Sequence, residues 1–421
     1  MAKLRDLLLI PAILGSTASV DSQKFEDIIA GASESKVNYS LSAENTQQQQ
    51  QNGYLDYLAA IDFLAKNNFE KKLNMGLGKI TGRKSTYLKE IKMLVTEYAR
   101  AIDMVKQGNR KQVFADPLFF EASGDMQKVE SSTFNLSTLL FYDSYQNFAS
   151  GNPAKGTQSF IDTLTFGEKI AGAGGIRNYM RGSSLESIAF NEAENLLQRM
   201  SQTDLKRIEA FSSDALKYEP LGSMLQKRLP QQLVLIEWAI SGSYRGLARE
   251  GNVIDEEIAK TVAEQVSKLN PVQRQALRDE ANKAFVNYVN SYLNLLAKPE
   301  SEWNPIEMPN IHIPTFGNLN TLFDLVDSPV TPVLFTAARQ RAQYRLLFLH
   351  SKIEQYKWEH TKLPSSLEEL KDPKSIYDPL SGENFVYKQK EGGSGYDLYS
   401  NGSKNPEFQT EKIFLAPKRR E

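Results

Sequence analysis

The chain has 421 residues, too many for one ordinary core, so two or three domains are expected. Lysine and arginine total 50 against 51 aspartates and glutamates, and no lysine run interleaves with aromatics, which argues against a nucleic-acid-binding face. There is no cysteine, which excludes disulfides, thiolate catalysis and cysteine-ligated metals, and no apolar run approaches the roughly 20 residues that span a bilayer.

Residues 1–21 open with Lys3 and Arg5, continue with an apolar run over 7–14, and reach small residues at Ser16, Thr17 and Ala18. That order reads as an export signal cleaved near Ala18, which places the mature chain in the periplasm or another extracytoplasmic compartment. Asp6 and Pro11 favour the competing reading, a buried N-terminal helix or strand in a cytoplasmic chain. The glutamine tract at 47–51 buries little and reads as a linker. Beyond it, residues 54–64 place Leu55, Leu58, Ile61 and Leu64 on one side of a helix.

The stretch GLGKITGRKS at 76–85 invites comparison with a phosphate loop. Its glycine spacing is wrong, arginine follows the last glycine, and no buried strand precedes it, so it reads as a basic turn between helices. Residues 87–105 form one predicted helix with a stripe of Leu88, Ile91, Leu94, Val95, Tyr98, Ile102 and Val105. Two more follow at 134–148 and 154–170, separated by Gly151, Asn152 and Pro153. Helix, tight turn and helix resemble a single tetratricopeptide-like hairpin, but no fixed period repeats it over three units. The glycine-rich stretch 172–175 ends the last helix; it follows a helix rather than a strand, so it is no dinucleotide loop.

Helices are predicted at 185–200, at 203–217 with Thr203 and Asp204 as its cap, and at 230–249. The last, containing LPQQLVLIEWAI, is apolar on most sides and is expected to be the most buried helix of the body. Glu237 lies within it, where burial raises a carboxyl pKa; the plainer reading is a paired or outward-facing side chain. With Glu192 and Glu194 it forms the candidate acid set of a carboxylate-dependent, glycosidase-like hydrolase, in which some of the 18 tyrosines line a sugar groove. That chemistry needs two carboxylates about 5 to 10 Å apart in one cleft. Helices at 254–265 and 271–296 complete a helical body spanning 22–300. A proline-rich connecting segment occupies 301–330, with a short helix expected at 316–326. His312, His350 and His360 show no metal-ligand spacing and read as surface or cap residues.

The tail, 331–421, begins with Thr331 and Pro332, a hydroxyl cap and a proline at the first helical position. Phe335, Ala338, Ala342, Leu346, Leu349, Ile353 and Tyr356 then recur at three- and four-residue steps, with Arg339, Gln343, Lys352 and Lys357 outside the stripe: an amphipathic helix. A second short helix is read at 364–370. Asp378-Pro379 with Ser381-Gly382 makes a turn, and strands at 385–387, 396–399 and 413–415 are expected to close a three-stranded antiparallel sheet. The predicted fold class is therefore mostly α, an irregular helical-hairpin body with a small C-terminal α+β domain.

The succession LPSSLEEL, DPLSGENFVY, GYDLYSNG and a final short strand resembles the globular part of a type II secretion major pseudopilin. The whole chain also resembles a loosely defined group of bacterial proteins with a leucine-rich helical body, a Gly-Asn-Pro hairpin and such an end. The resemblance implies a pseudopilin-like tail fold and an envelope setting near pilin-like or secretion components. It also points to a calcium loop after the YS-x-G turn. There, Asp397, Ser400 and Glu407 are the available donors, against calcium's need for about six to eight oxygens; a polar hairpin loop is the reading adopted. No residue set forms a catalytic, cofactor or metal site. The expectation is a non-enzymatic interaction or structural protein of the bacterial envelope with a protein partner, the carboxylate hydrolase being the alternative.

Overall fold

The computed structural model describes residues 52–78, 84–112, 126–173, 175–217, 221–222, 240, 256–304, 306, 312–313, 317–318, 331–393, 395–405 and 412–415. The leader at 1–21, the glutamine tract, the basic turn at 79–83, the helix at 230–249 apart from Ile240, and Glu237 and Glu407 lie outside them. Twelve α-helices are present among the described residues. In chain order they are α1 Gly53–Lys66, α2 Phe69–Gly78, α3 Lys84–Glu97, α4 Ala99–Asn109, α5 Met126–Ala149 and α6 Pro153–Gly172. There follow α7 Gly175–Phe190, α8 Ala193–Leu197, α9 Gln202–Lys217, α10 Glu256–Ser267, α11 Pro271–Leu296 and α12 Thr331–His360. Strands β1 His312–Ile313 and β2 Gly317–Asn318 make one antiparallel pair, and β3 Val386–Gln389 and β4 Tyr396–Tyr399 another.

The chain divides into two compact units, one from the described residues of 49–224, 295–305 and 329–421, the other from those of 225–294 and 306–328. In the second, α11 starts with a reciprocal capping box. Asn270 Oδ1 accepts from the Gln273 amide and Gln273 Oε1 from the Asn270 amide, each at 2.9 Å. Gly317–Asn318 pairs as strand β2, a correction to the short helix expected at 316–326.

In the first unit the Gly-Asn-Pro turn works as its residue types predict. The amide of Asn152 bonds the carbonyl of Asn147 and that of Gly151 bonds Phe148, while Gly151 takes φ of +75°. This is the six-to-one and five-to-two pattern that ends a helix, and it needs the left-handed region that glycine enters at no steric cost. Pro153 then starts α6. Helices α6 and α7 pack backbone to backbone: a Cβ on Gly182 would lie 2.3 Å from the Gly167 carbonyl oxygen and 2.4 Å from the Ala171 nitrogen.

Two predicted helices are broken. The apolar stripe of 87–105 runs on through a one-residue break at Tyr98, whose buried ring meets Phe69 edge-on and whose hydroxyl donates to the Asn67 carbonyl at 2.7 Å. The helix expected at 185–200 divides at Asn191 and Glu192 into α7 and α8. At α9 the cap is Ser201, whose Oγ receives the Asp204 amide at 3.2 Å, two residues before Thr203 of the predicted pair.

Helix α12 departs most from expectation. Val333, Leu334, Gln340, Gln343, Tyr344, Leu347, Phe348, His350, Ser351 and Glu354 are buried together with the predicted stripe residues Ala338, Ala342, Leu346, Leu349 and Ile353. From 340 to 355 the helix is enclosed on nearly all sides, so it is a central helix rather than an amphipathic one. Its neighbours are α7, α8, α9 and the tail sheet. The segment after Leu296 belongs to the same unit. Trp303 is buried, and Glu300 pairs with Arg341 and, at 3.8 Å, with Arg345.

Among the described residues the tail has two strands where three were expected. β3 and β4 pair from Val386 with Tyr399 to Gln389 with Tyr396, and the final segment contributes a single bridge between Ser400 and Ile413. Ile413 and Leu415 are nonetheless buried, so the last segment is held by packing more than by a ladder. The second short helix is a 3-10 turn at Leu367–Leu370.

Candidate functional site

Of the carboxylates singled out by sequence, Glu192 is exposed at the α7–α8 junction, where its Oε2 accepts from the Asn195 amide group at 3.0 Å. Glu194 is half-buried. Two other carboxyls, Glu168 and Glu186, are the pair brought together. Glu186 has 0% exposure. Its Oε2 accepts from Gln340 Nε2, and Gln340 Oε1 in turn accepts from the Tyr179 hydroxyl at 3.1 Å. The Tyr344 hydroxyl faces the Glu186 carboxyl and shares a looser hydrogen bond with it, neither Glu186 Oε1 nor that hydroxyl making a close one among the described residues. These groups face a cavity of about 30 Å³.

The elements explain the convergence. Tyr179 and Glu186 lie seven residues apart on one face of α7, Gln340 and Tyr344 four apart on α12, and Glu168 projects from α6. The glycine contact described above brings α6 close enough for the Glu186 side chain to sit beside Gly167, where a Cβ would meet its Cγ at 2.5 Å. Burial pushes the Glu186 carboxyl well above the usual carboxylate range, and the neighbouring Glu168 charge adds to this against the opposing bond from Gln340. Glu168 is raised by burial and eased by Lys169. Tyr344 is raised by burial and then by the Glu186 and Glu168 charges. The site therefore holds a carboxyl group whose proton is favoured by burial, beside a water-sized space.

A second polar cluster has the residue types of nucleophilic catalysis. Ser159 Oγ donates to Asp143 Oδ2 at 2.6 Å, and Lys106 Nζ reaches Asp143 at 2.8 Å and Ser159 at 3.2 Å. Ser159 is 1% exposed and its hydroxyl is used in both directions. It joins α4, α5 and α6, with the Ser159 hydroxyl enclosed between them.

No family model, curated protein or solved structure matches this chain. The reading of function therefore rests on its own residues.

In the tail, the two turns that carry the pseudopilin resemblance touch. Asp378, fully buried, accepts the Leu380 amide at 3.0 Å and the Ser400 hydroxyl at 2.8 Å, and Ser400 Oγ accepts the Gly402 amide at 2.9 Å. Ser400 thus bonds Asp378, and Asp397 lies 3.6 Å from Lys390 Nζ, so each already has a protein partner. No group of three metal-ligating side chains occurs among the described residues. His350 corrects the surface reading. It is 2% exposed, its Nδ1 lies 2.9 Å from the Tyr396 hydroxyl, and burial pushes its pKa down to about 3. His360, exposed at the end of α12, stacks near Tyr356 as a cap-type residue. Among the described residues no helix is long and apolar enough to cross a membrane.

Glu186 escaped sequence reading, yet a signal was present. Gly182, Ala189 and Phe190 stand four before, three after and four after it, which places it on the buried stripe of α7.

Proposed function

We propose that this protein is a non-enzymatic interaction or structural component of the bacterial cell envelope, working beside pilin-like or secretion components. The observation that carries the reading is the join between Asp378 and Ser400, which ties together the turns on which the pseudopilin resemblance rests. A body of helix hairpins offers grooves of the kind that take peptides or partner helices. The hydrolase reading gains no comparable support. Glu192 is exposed, and the space shared by Glu168 and Glu186, about 30 Å³, suits a water-sized group rather than a sugar ring.

The test combines N-terminal sequencing of the protein from native cell fractions with in-cell photo-crosslinking from Trp358 and Met93, which are 61% and 59% exposed. The expected result is a chain starting just after Ala18 in an extracytoplasmic fraction, crosslinked to a pilin-like or secretion protein. A cytosolic chain with intact Met1 or Ala2 removes the envelope setting. An extracytoplasmic chain that crosslinks to neither class removes the partner assignment.

A further inference from the structure

Residues 299–304 sit against α12 and the turn at 377–382 as a bound peptide sits on a receptor. Pro299 enters in extended geometry, φ −54° and ψ 142°, and Glu300–Glu302 form a 3-10 turn. The backbone closes on itself: the Glu302 amide donates to the Pro299 carbonyl at 2.9 Å and the Trp303 amide to the Glu300 carbonyl at 3.1 Å. Among the described residues no backbone-to-backbone hydrogen bond joins this segment to α12 or to the turn. Side chains make the connection. Glu300 Oε1 meets Arg341 and, at 3.8 Å, Arg345, four residues apart on α12. Ser301 Oγ lies 2.8 Å from the Tyr377 hydroxyl. Trp303 is buried, and Asn405 Nδ2 donates to its carbonyl at 3.4 Å. A carboxylate on two arginines, an enclosed indole three residues on and a captured carbonyl are the anchors by which proteins recognise short segments. The receiving surface is built by bonds of its own. Arg345 Nη1 donates to the Tyr377 carbonyl at 3.0 Å, and the Gly382 amide donates to the Asp378 carbonyl at 3.0 Å. Gly382 takes φ of +72°, and a Cβ there would lie 3.1 Å from the Ser301 Cβ, so the glycine leaves the room that the segment uses.

We propose that this surface is a docking site for a partner segment carrying a carboxylate and, three residues later, a tryptophan, and that residues 299–304 are its resident occupant, displaced when the partner arrives. The charge of the surface sets the partner's chemistry. Burial pulls the Arg345 pKa down and the Glu300 carboxylate holds it up, so an occupant without a carboxylate leaves a poorly hydrated cation unpaired. The space vacated by Trp303 asks for an aromatic ring of the same size. The assignment rests on the reading of the chain as an interaction protein and names the chemistry of what it binds. Its test uses the purified chain, so its failure leaves the envelope setting to be decided by fractionation.

The experiment follows a fluorescein-labelled peptide with the sequence of residues 297–305, AKPESEWNP, by anisotropy against the full chain and its Glu300→Gln variant, which weakens the occupant and leaves the receiving surface intact. A tethered occupant competes at about millimolar effective concentration. The parent should therefore bind the peptide weakly and the variant about tenfold or more tightly, the effect of a charged hydrogen bond lost from the competitor. Peptides with glutamine for the first glutamate, or alanine for the tryptophan, should not saturate either chain. Native-state hydrogen exchange on the parent tests displacement without any variant. The Glu302 and Trp303 amides, both hydrogen-bonded, should exchange at least about tenfold faster than the amides of α12 at 345–350. Equal protection of the two sets, or no saturable binding to a folded variant, makes residues 299–304 a fixed part of the core and overturns the proposal. A parent chain that is dimeric by light scattering and monomeric as Glu300→Gln gives the surface to a second copy and overturns the partner assignment.

Discussion

Glu186 is bonded by Gln340 and, more loosely, by Tyr344, and its proton couples it to pH. In the unfolded chain a glutamate ionises near 4.5; in the folded protein burial holds the proton well above that. Below the lower value both states keep the proton and the residue has no effect on pH dependence. As pH rises toward the folded value the unfolded state gains, and stability is lost with a slope approaching ~1.4 kcal/mol per pH unit. Glu186→Gln removes that loss. Chemical denaturation from pH 4 to 8 should show the variant and the parent alike at the acid end, with the variant increasingly the more stable toward neutral pH. His350 has the opposite sign. Its folded pKa of about 3 lies below the unfolded 6.5, so its stabilising neutrality is present above 6.5 and lost as pH falls toward 3. His350→Phe should flatten the acid limb over that window, at a cost of about 1 kcal/mol at pH 7 for the lost Tyr396 partner. An acid limb unchanged from the parent would show that the imidazole does not titrate there.

At the scale of elements, the packing of α6 on α7 depends on glycine for close approach rather than for flexibility. The Cβ of Gly182→Ala meets backbone atoms at 2.3 and 2.4 Å, which no rotamer change relieves. The variant should lose about 1–3 kcal/mol to overpacking, outweighing the up to ~1 kcal/mol that alanine gains inside a helix. A urea midpoint that falls with an unchanged slope is the expected reading. The hairpin turn was legible because Gly151, Asn152 and Pro153 each act through local backbone chemistry. The break at Tyr98 was not, because the apolar stripe keeps its period through it and the residue that marks it is an ordinary core tyrosine. The third tail strand was overread for a related reason: Ile413, Phe414 and Leu415 carry strand propensity, but whether they pair beyond one bridge depends on where Ser400 leaves the edge of β4.

For the whole molecule, α12 is the element on which the larger unit depends. Leu334, Ala338, Ala342, Leu346, Leu347, Leu349 and Ile353 are each at most 2% exposed. A chain ending before Thr331 should therefore lose cooperative unfolding of residues 53–217, seen as a broadened denaturation curve and lost near-UV signal. A truncated chain that still unfolds sharply would show that α1–α9 form a core by themselves. The sequence alone determined the helical class, the Gly-Asn-Pro hairpin, the α11 boundaries and the turns of the tail, since each follows from periodicity, caps or φ preferences acting within a few residues. Only the tertiary structure decided that α12 is central, that Glu186 rather than Glu192 is enclosed, and that His350 is buried. It also decided that Asp378 and Ser400 meet. Those outcomes depend on which surfaces oppose one another once the chain has folded back, across 22 residues for Asp378 and Ser400 and 154 for Glu186 and Gln340, and a helical period names a buried face without naming the face it packs against.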